Sequence, residues 1–146
     1  MKPWIAIILA AGKGTRMKSK LPKVLHKAAG KAMVHHVAGC ALHAGAGKLV
    51  TIVGFGGDQV EKAMTELSQI VEQKEQLGTG HAVQQCIPAL EGFSGDVVIL
   101  SGDTPLLRFE TLKGLITAHQ ESDNSATVLT AVLANPSGYG RIIRRG

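Results

Sequence analysis

The side chains best suited by type and spacing to phosphate chemistry cluster early in the chain. Lys13 and Arg16 fall in the run Leu9-Ala10-Ala11-Gly12-Lys13-Gly14-Thr15-Arg16-Met17, and Lys23 follows in Leu21-Pro22-Lys23-Val24-Leu25. Small residues let backbone N–H groups approach an anion or a base edge, while Lys supplies a compact charge and Arg a planar fork for phosphate oxygens. Pro22 fixes the chain just before Lys23, so Lys23 is expected to aim at the same pocket as Arg16; a solvated surface lysine is the plainer alternative. Further on, Ser101-Gly102-Asp103-Thr104-Pro105-Leu106 sets a carboxylate behind a flexible glycine. Such a group is a hard oxygen ligand of the kind Mg²⁺ takes together with substrate phosphates, and its alternative use is as an N-cap for the next helix.

Two common nucleotide motifs fail on spacing. A P-loop needs Gly five residues before Gly-Lys, and Gly12, Gly30 and Gly47 have Ile7, Leu25 and Leu42 there. A dinucleotide fingerprint needs Gly or Ala three residues after the second Gly, where Gly12-x-Gly14 has Met17. A lone Gly-x-Gly is equally compatible with a tight turn after a buried strand. His36, Cys40 and His43 share one helix face, but one helix does not readily wrap a tetrahedral zinc site, and no motif adds ligands. A partly buried helix face is expected there, His81 is expected to pack a helix start, and Arg141, Arg144 and Arg145 form a solvated run, with Arg141 close enough to Gly140 to lie near a pocket.

The elements that must position these residues alternate. Trp4 to Ala11 is a continuous apolar run that breaks at Gly12 and Gly14, as a strand buried on both faces does. Met33, Val37, Cys40, Ala41 and Ala44 recur at helical spacing over 32–46, and Gly45 and Gly47 end the pattern. Leu49 to Phe55 reads as a strand, Asp58 as the N-cap of a helix to about Leu67, Ile70 to Glu72 as a short strand, and Thr79 to Leu90 as a helix. Asp96 to Leu100 is a clear strand, Phe109 to Gln120 a helix, Ala126 to Ala134 an alternating strand, and Tyr139 to Arg144 the start of another. Repetition of strand, loop and helix implies an α/β three-layer sandwich around a mostly parallel, Rossmann-like sheet, with ligands at the carboxyl ends of its strands.

Composition narrows the ligand. The chain has 146 residues, a formal charge of +5 and 18 glycines, so it suits an anionic partner and needs many loops of special conformation. One Trp, one Tyr and three Phe are too few and too scattered to form a base-stacking platform, which favours a phosphorylated small molecule over a nucleic acid. Cys40 and Cys86 read as reduced cytoplasmic thiols. Lys2 and the apolar run after it imitate a signal peptide poorly, since the run is β-branched and Leu9 stands where a small residue precedes cleavage; no stretch suits a membrane span.

Taken together, LAAGKGTRM, LPKVLH, EQLGTGHA, SGDTPL and GYGRI, in this order, resemble the sugar-nucleotide pyrophosphorylase domains of bacterial N-acetylglucosamine-1-phosphate uridyltransferases. The similarity runs along the whole chain; QLGTGHA and GYGR narrow it from nucleotidyltransferases in general. The resemblance implies a nucleotide-diphospho-sugar transferase fold and a cytoplasmic enzyme that makes UDP-N-acetylglucosamine and pyrophosphate from UTP and N-acetylglucosamine-1-phosphate, for cell-wall and lipopolysaccharide synthesis. It implies that Leu9, Ala10, Ala11 and Gly12 meet the uridine, Gln73 and Gly78 read the uracil with Gln76 as a second contact, and Thr79 and Gly140 touch the sugar nucleotide. Arg16 and Lys23 would hold phosphates as the catalytic cations, Ser101, Gly102 and Asp103 would complete the substrate site, and Asp103 would bind Mg²⁺. Ser101 stands where many relatives carry Tyr, so any contact from that phenol is absent. The resemblance also implies that residues 1–146 are an incomplete N-terminal domain, inactive alone, of a homotrimeric protein. Its second domain would be a left-handed β-helix that acetylates glucosamine-1-phosphate with acetyl-CoA. No nucleic-acid or membrane partner is expected. A non-catalytic nucleotide-binding or regulatory module, or a pyrophosphorylase for another sugar phosphate, stays open, and turnover separates them.

Overall fold

The computed structural model describes residues 2–144 except 13, 15, 16, 55, 56 and 123. Strand β1 (Trp4–Leu9) is its axis, with Trp4 to Ile8 all buried. A strand with no exposed face is what a continuous apolar run specifies, and here it is central. It pairs in parallel with β4 (Leu49–Val53) on one side and β6 (Asp96–Ser101) on the other, so that Leu9 stands between Ile52 and Ser101. Strand β5 (Gln69–Glu72) adds outside β4, giving the parallel order β5-β4-β1-β6. A small antiparallel hairpin of β2 (Lys27–Ala28) and β3 (Lys31–Ala32), absent from the sequence expectation, turns through Ala29 and Gly30, both at positive φ. That conformation matches the strand twist of a two-residue hairpin.

The helices cover the two faces unequally. Even-numbered β1 side chains (Trp4, Ala6, Ile8) pack with Val34, Val37, Ala38 and Ala41 of α1 (Met33–His43), Val60 and Met64 of α2 (Gly57–Met64), and Leu112 and Ile116 of α4 (Phe109–Glu121). The opposite face joins Ile7, Val50 and Ile52 to Ala82 of α3 (Thr79–Gln84) and to Cys86. These are three layers, α/β and Rossmann-like, as the alternation implies. On β6, however, Val97 and Ile99 remain exposed.

Four local expectations are corrected. The helix expected over 79–90 stops at Gln84 and gives way to a 3₁₀ turn at Ile87–Leu90, because Pro88 lacks the N–H that would continue the ladder. Asp58 lies inside the first turn of α2 rather than before it; Phe55 and Gly56, at the end of the strand expected over 49–55, lie outside the described residues. Ala126 to Ala134 alternates but forms no strand, and neither does 139–144. An alternating segment becomes a strand only when a neighbour takes its backbone hydrogen bonds, and Val128, Leu129 and Val132 are left exposed. No helix among the described residues is long and apolar enough to cross a membrane.

Candidate nucleotide site

The chain passes from β1 toward β4 on one side of the sheet and later returns to add β6 on the other, so the strand order reverses at β1. In open parallel sheets a crevice forms at the carboxyl ends of the strands at such a reversal. A cavity of about 500 Å³ opens there, lined from β1 by Leu9, Ala11 and Gly12, from the β5 side by Gln73, Gln76, Gly78 and Thr79, and from β6 by Ser101 and Asp103. Lys23 also lines it.

Each wall has a local cause. The 3₁₀ turn Lys23–Leu25 follows Pro22, and buried Val24 anchors it while Lys23 projects. Gly14 (φ +58°) lets the first loop lie against this turn, since a Cβ there would come 2.9 Å from Lys23 Cβ. Gly102 is fixed by its N–H donating to Leu9 O at 3.0 Å, and a Cβ at that position would meet the same oxygen at 2.9 Å. Thr104 Oγ1 donates to Ser101 O at 2.7 Å and closes the turn around Asp103. The N-cap alternative for Asp103 does not occur, because α4 begins at Phe109 after Arg108. Lys23 Nζ instead lies 2.5 Å from Asp103 Oδ2, with both side chains partly open to solvent.

On the other wall, Gln73 is only 4% exposed, and its Nε2 donates to Gly78 O at 3.1 Å. Gln76 Nε2 donates to Ala11 O at 2.9 Å, tying the loop after β5 to the loop after β1. Gly78 adopts φ +100° at the start of α3, a conformation that only glycine takes without strain.

Several expected residues are elsewhere. Ala10 is buried behind the cavity with its N–H given to Ile52 O, and Gly102 shapes the site without lining it. Gly140 is exposed in the segment without strands and does not line the cavity, and Arg141 donates to the carbonyls of Pro136 and Tyr139. Arg16, with Lys13 and Arg145, lies outside the described residues. Met17, Val24 and Ala82 line the cavity and were missed, since an apolar residue in a nucleotide wall looks no different in sequence from one in a core.

The other constellations are structural. His36 Nε2 donates to Ala28 O, and His43 packs edge-on against Phe109, so they do not converge with Cys40. Burial raises the Cys40 thiol, with Glu110 adding to the effect, and burial pushes Cys86 up to about 11. Neither is poised as a thiolate nucleophile. Among the described residues no group of three His, Cys, Asp or Glu could cage a metal. Asp103 is the one carboxylate among the described lining residues, a donor set that fits a hard divalent cation completed by phosphate and water oxygens.

Glycine loops, a cation and a carboxylate at the switch point of a parallel sheet define the nucleotidyltransferase class of α/β domain. Residues 6–140 match the model of the MobA-like NTP transferase domain, and the chain belongs to that family. It is 53% identical over 137 residues to the bifunctional protein GlmU of Acaryochloris marina, covering 92% of this chain and 30% of the relative, and 55% identical over 139 residues to GlmU of Bacillus velezensis, covering 95% and 30%. The chain thus spans about 30% of the length of these curated relatives. Among solved structures, a nucleotidyl transferase from Methanothermobacter thermautotroptrophicus superposes with a TM-score of 0.68 at 19% identity, covering 79% of this chain and 57% of the other, a likeness of fold. Members of the family generally use a divalent metal.

Proposed function

We propose that this domain transfers uridylyl from UTP to N-acetylglucosamine-1-phosphate, releasing pyrophosphate and forming UDP-N-acetylglucosamine. The supporting observation is the polarity of the cavity. Gln73 follows the edge strand β5 and Asp103 follows the opposite edge strand β6. Three strand spacings, about 14 Å, separate those positions. A nucleoside lying across the strand ends therefore meets a neutral amide at one end and Lys23 with Asp103 at the other. A neutral amide suits the hydrogen-bonding edge of a pyrimidine, whereas a lysine suits phosphate.

The attacking oxygen of the sugar phosphate is already anionic, so no protein nucleophile is needed. It forms a bond to the α-phosphorus of UTP as the bond to the pyrophosphate oxygen breaks, and the electron pair leaves on pyrophosphate. Lys23 offsets negative charge on the phosphates, and the glycine loop holds the nucleoside in line for attack. Asp103 would hold Mg²⁺, which when bound supplies charge neutralisation at the phosphates. Arg16 would share the phosphates, Ser101 would face the substrate, Gly78 would meet the uracil beside Gln73, and Thr79 would touch the sugar nucleotide.

For the whole protein, whose relatives carry the word bifunctional and are about three times as long, we extend the proposal to acetylation of glucosamine-1-phosphate by a further domain in a cytoplasmic homotrimer. The test is a pyrophosphate-release assay on the full-length protein, expected to require both UTP and N-acetylglucosamine-1-phosphate as well as a divalent cation. Nucleotide binding without pyrophosphate release would overturn the proposal in favour of a regulatory module.

A further inference from the structure

The amide of Gln73 is buried, so its hydrogen bonds decide what it presents to the cavity. Its nitrogen lies 3.1 Å from Gly78 O and 3.0 Å from His81 Nδ1. A backbone carbonyl can only accept, and this fixes the amide: turned over, Oε1 would face Gly78 O at the same distance, acceptor against acceptor. With the nitrogen donating to both groups, His81 Nδ1 must be the bare nitrogen and the ring proton sits on Nε2.

The far side of the ring accommodates that assignment. Gln85 Nε2 lies 3.1 Å from His81 Nε2 and a long 3.4 Å from His81 O, so this amide must turn for the assignment to hold. A half-turn of this partly exposed amide gives an oxygen to Nε2–H, loses the long contact and sets oxygen against oxygen at 3.4 Å, a weaker opposition than the 3.1 Å one a turned, buried Gln73 would meet. The opposite tautomer would require the buried Gln73 to abandon Gly78 O, and is the costlier choice. Among the described residues Gln73 Oε1 is then the free end of the amide, on a side chain that lines the cavity.

We propose that His81 is a positioning residue that, together with Gly78 O, locks the Gln73 amide with its oxygen toward the cavity. The base site thereby takes a ring N–H donor, as in uracil, and refuses a ring nitrogen acceptor, as in cytosine. The inference rests on the reading of this cavity as a UTP site and adds the device that selects the base.

The test compares UTP and CTP binding by calorimetry for the full-length protein and its His81→Phe and His81→Asn variants. The unmodified protein is expected to prefer UTP by about tenfold or more, the consequence of leaving a buried acceptor unpaired opposite cytosine. His81→Phe leaves Gly78 O as the one remaining acceptor of the pair, so the amide turns at lower cost and the UTP-to-CTP ratio should fall severalfold. His81→Asn places Oδ1 near the position of Nδ1 and should keep the preference. A purely structural role for His81 would weaken both nucleotides alike, and an unchanged ratio in His81→Phe overturns the proposal. Nitrogen-15 spectra of the ligand-free protein give a second readout that survives a variant's failure to fold: the His81 proton is expected on Nε2, and a proton on Nδ1 overturns the assignment. If the unmodified protein shows no preference for UTP, the reading of a uracil site fails and this device with it; if the preference exists but is indifferent to His81, only the device fails.

Discussion

Lys23 and Asp103 carry the charged end of the cavity, and their closeness raises the question of whether the pair serves stability or chemistry. Both side chains are partly solvated, with exposures of 44% and 30%. Pairs open to water to this extent contribute about 0–1 kcal/mol to folding, because water screens the attraction and two long side chains lose freedom. Charge that shifts during phosphoryl transfer is worth far more when met by a fixed cation. Lys23→Ala and Asp103→Asn are therefore each expected to lower turnover of the full-length protein by about 10²-fold or more, while the thermal midpoint moves by about 3 °C or less. Steady-state kinetics beside a melting curve check this. A large drop in the midpoint with near-normal turnover would make the pair a structural clamp.

At the scale of elements, the site depends on how closely the loop after β6 approaches the end of β1. Gly102 allows that approach: an added Cβ would meet Leu9 O at 2.9 Å, Val24 Cγ1 at 3.2 Å and Ile8 Cγ2 at 3.3 Å. The first of these is backbone of the central strand and cannot yield cheaply. Gly102→Ala should push the Asp103 loop outward, lowering stability by about 1–3 kcal/mol as overpacking does and weakening UTP binding with it. Unchanged denaturant midpoint and UTP affinity would show that the loop moves freely. This contact explains what could and could not be read from the chain. The Ile-rich run of β1 was legible because burial on both faces leaves its mark residue by residue; Lys23 and Asp103, which line the cavity, stood out as residue types in motifs, whereas Gln73 was named only through the family resemblance. The reason for glycine at 102 was not, since it lies in a residue ninety-odd positions away. Pairing is equally non-local: 126–134 carries the alternation of a strand but finds no edge to join. Gly140 was drawn into the expected site by its motif alone, whereas His81, passed over as packing, orients the buried amide through ring nitrogens that no periodicity reveals.

For the chain as a whole, the uneven covering of the sheet has a consequence in solution. Helix α3 and the 3₁₀ turn after it pack over β1 and β4, leaving Val97 and Ile99 of β6 exposed at 39% and 50%. Beyond β6 no further strand pairs among the described residues, and a groove of about 1160 Å³ runs between β6, α4 and residues 125–129. An apolar strand with an open edge favours association, while a formal charge of +5 on every copy opposes it. The 146-residue chain alone is therefore expected to associate with rising concentration, and more strongly as salt screens the repulsion. Ile99→Lys adds charge at the exposed face without touching the buried one, so it should shift the chain toward monomer while leaving its circular dichroism unchanged. Sedimentation across a range of concentration and salt provides the measurement. Association that weakens with salt, or that Ile99→Lys leaves intact, would place the sticky surface away from β6.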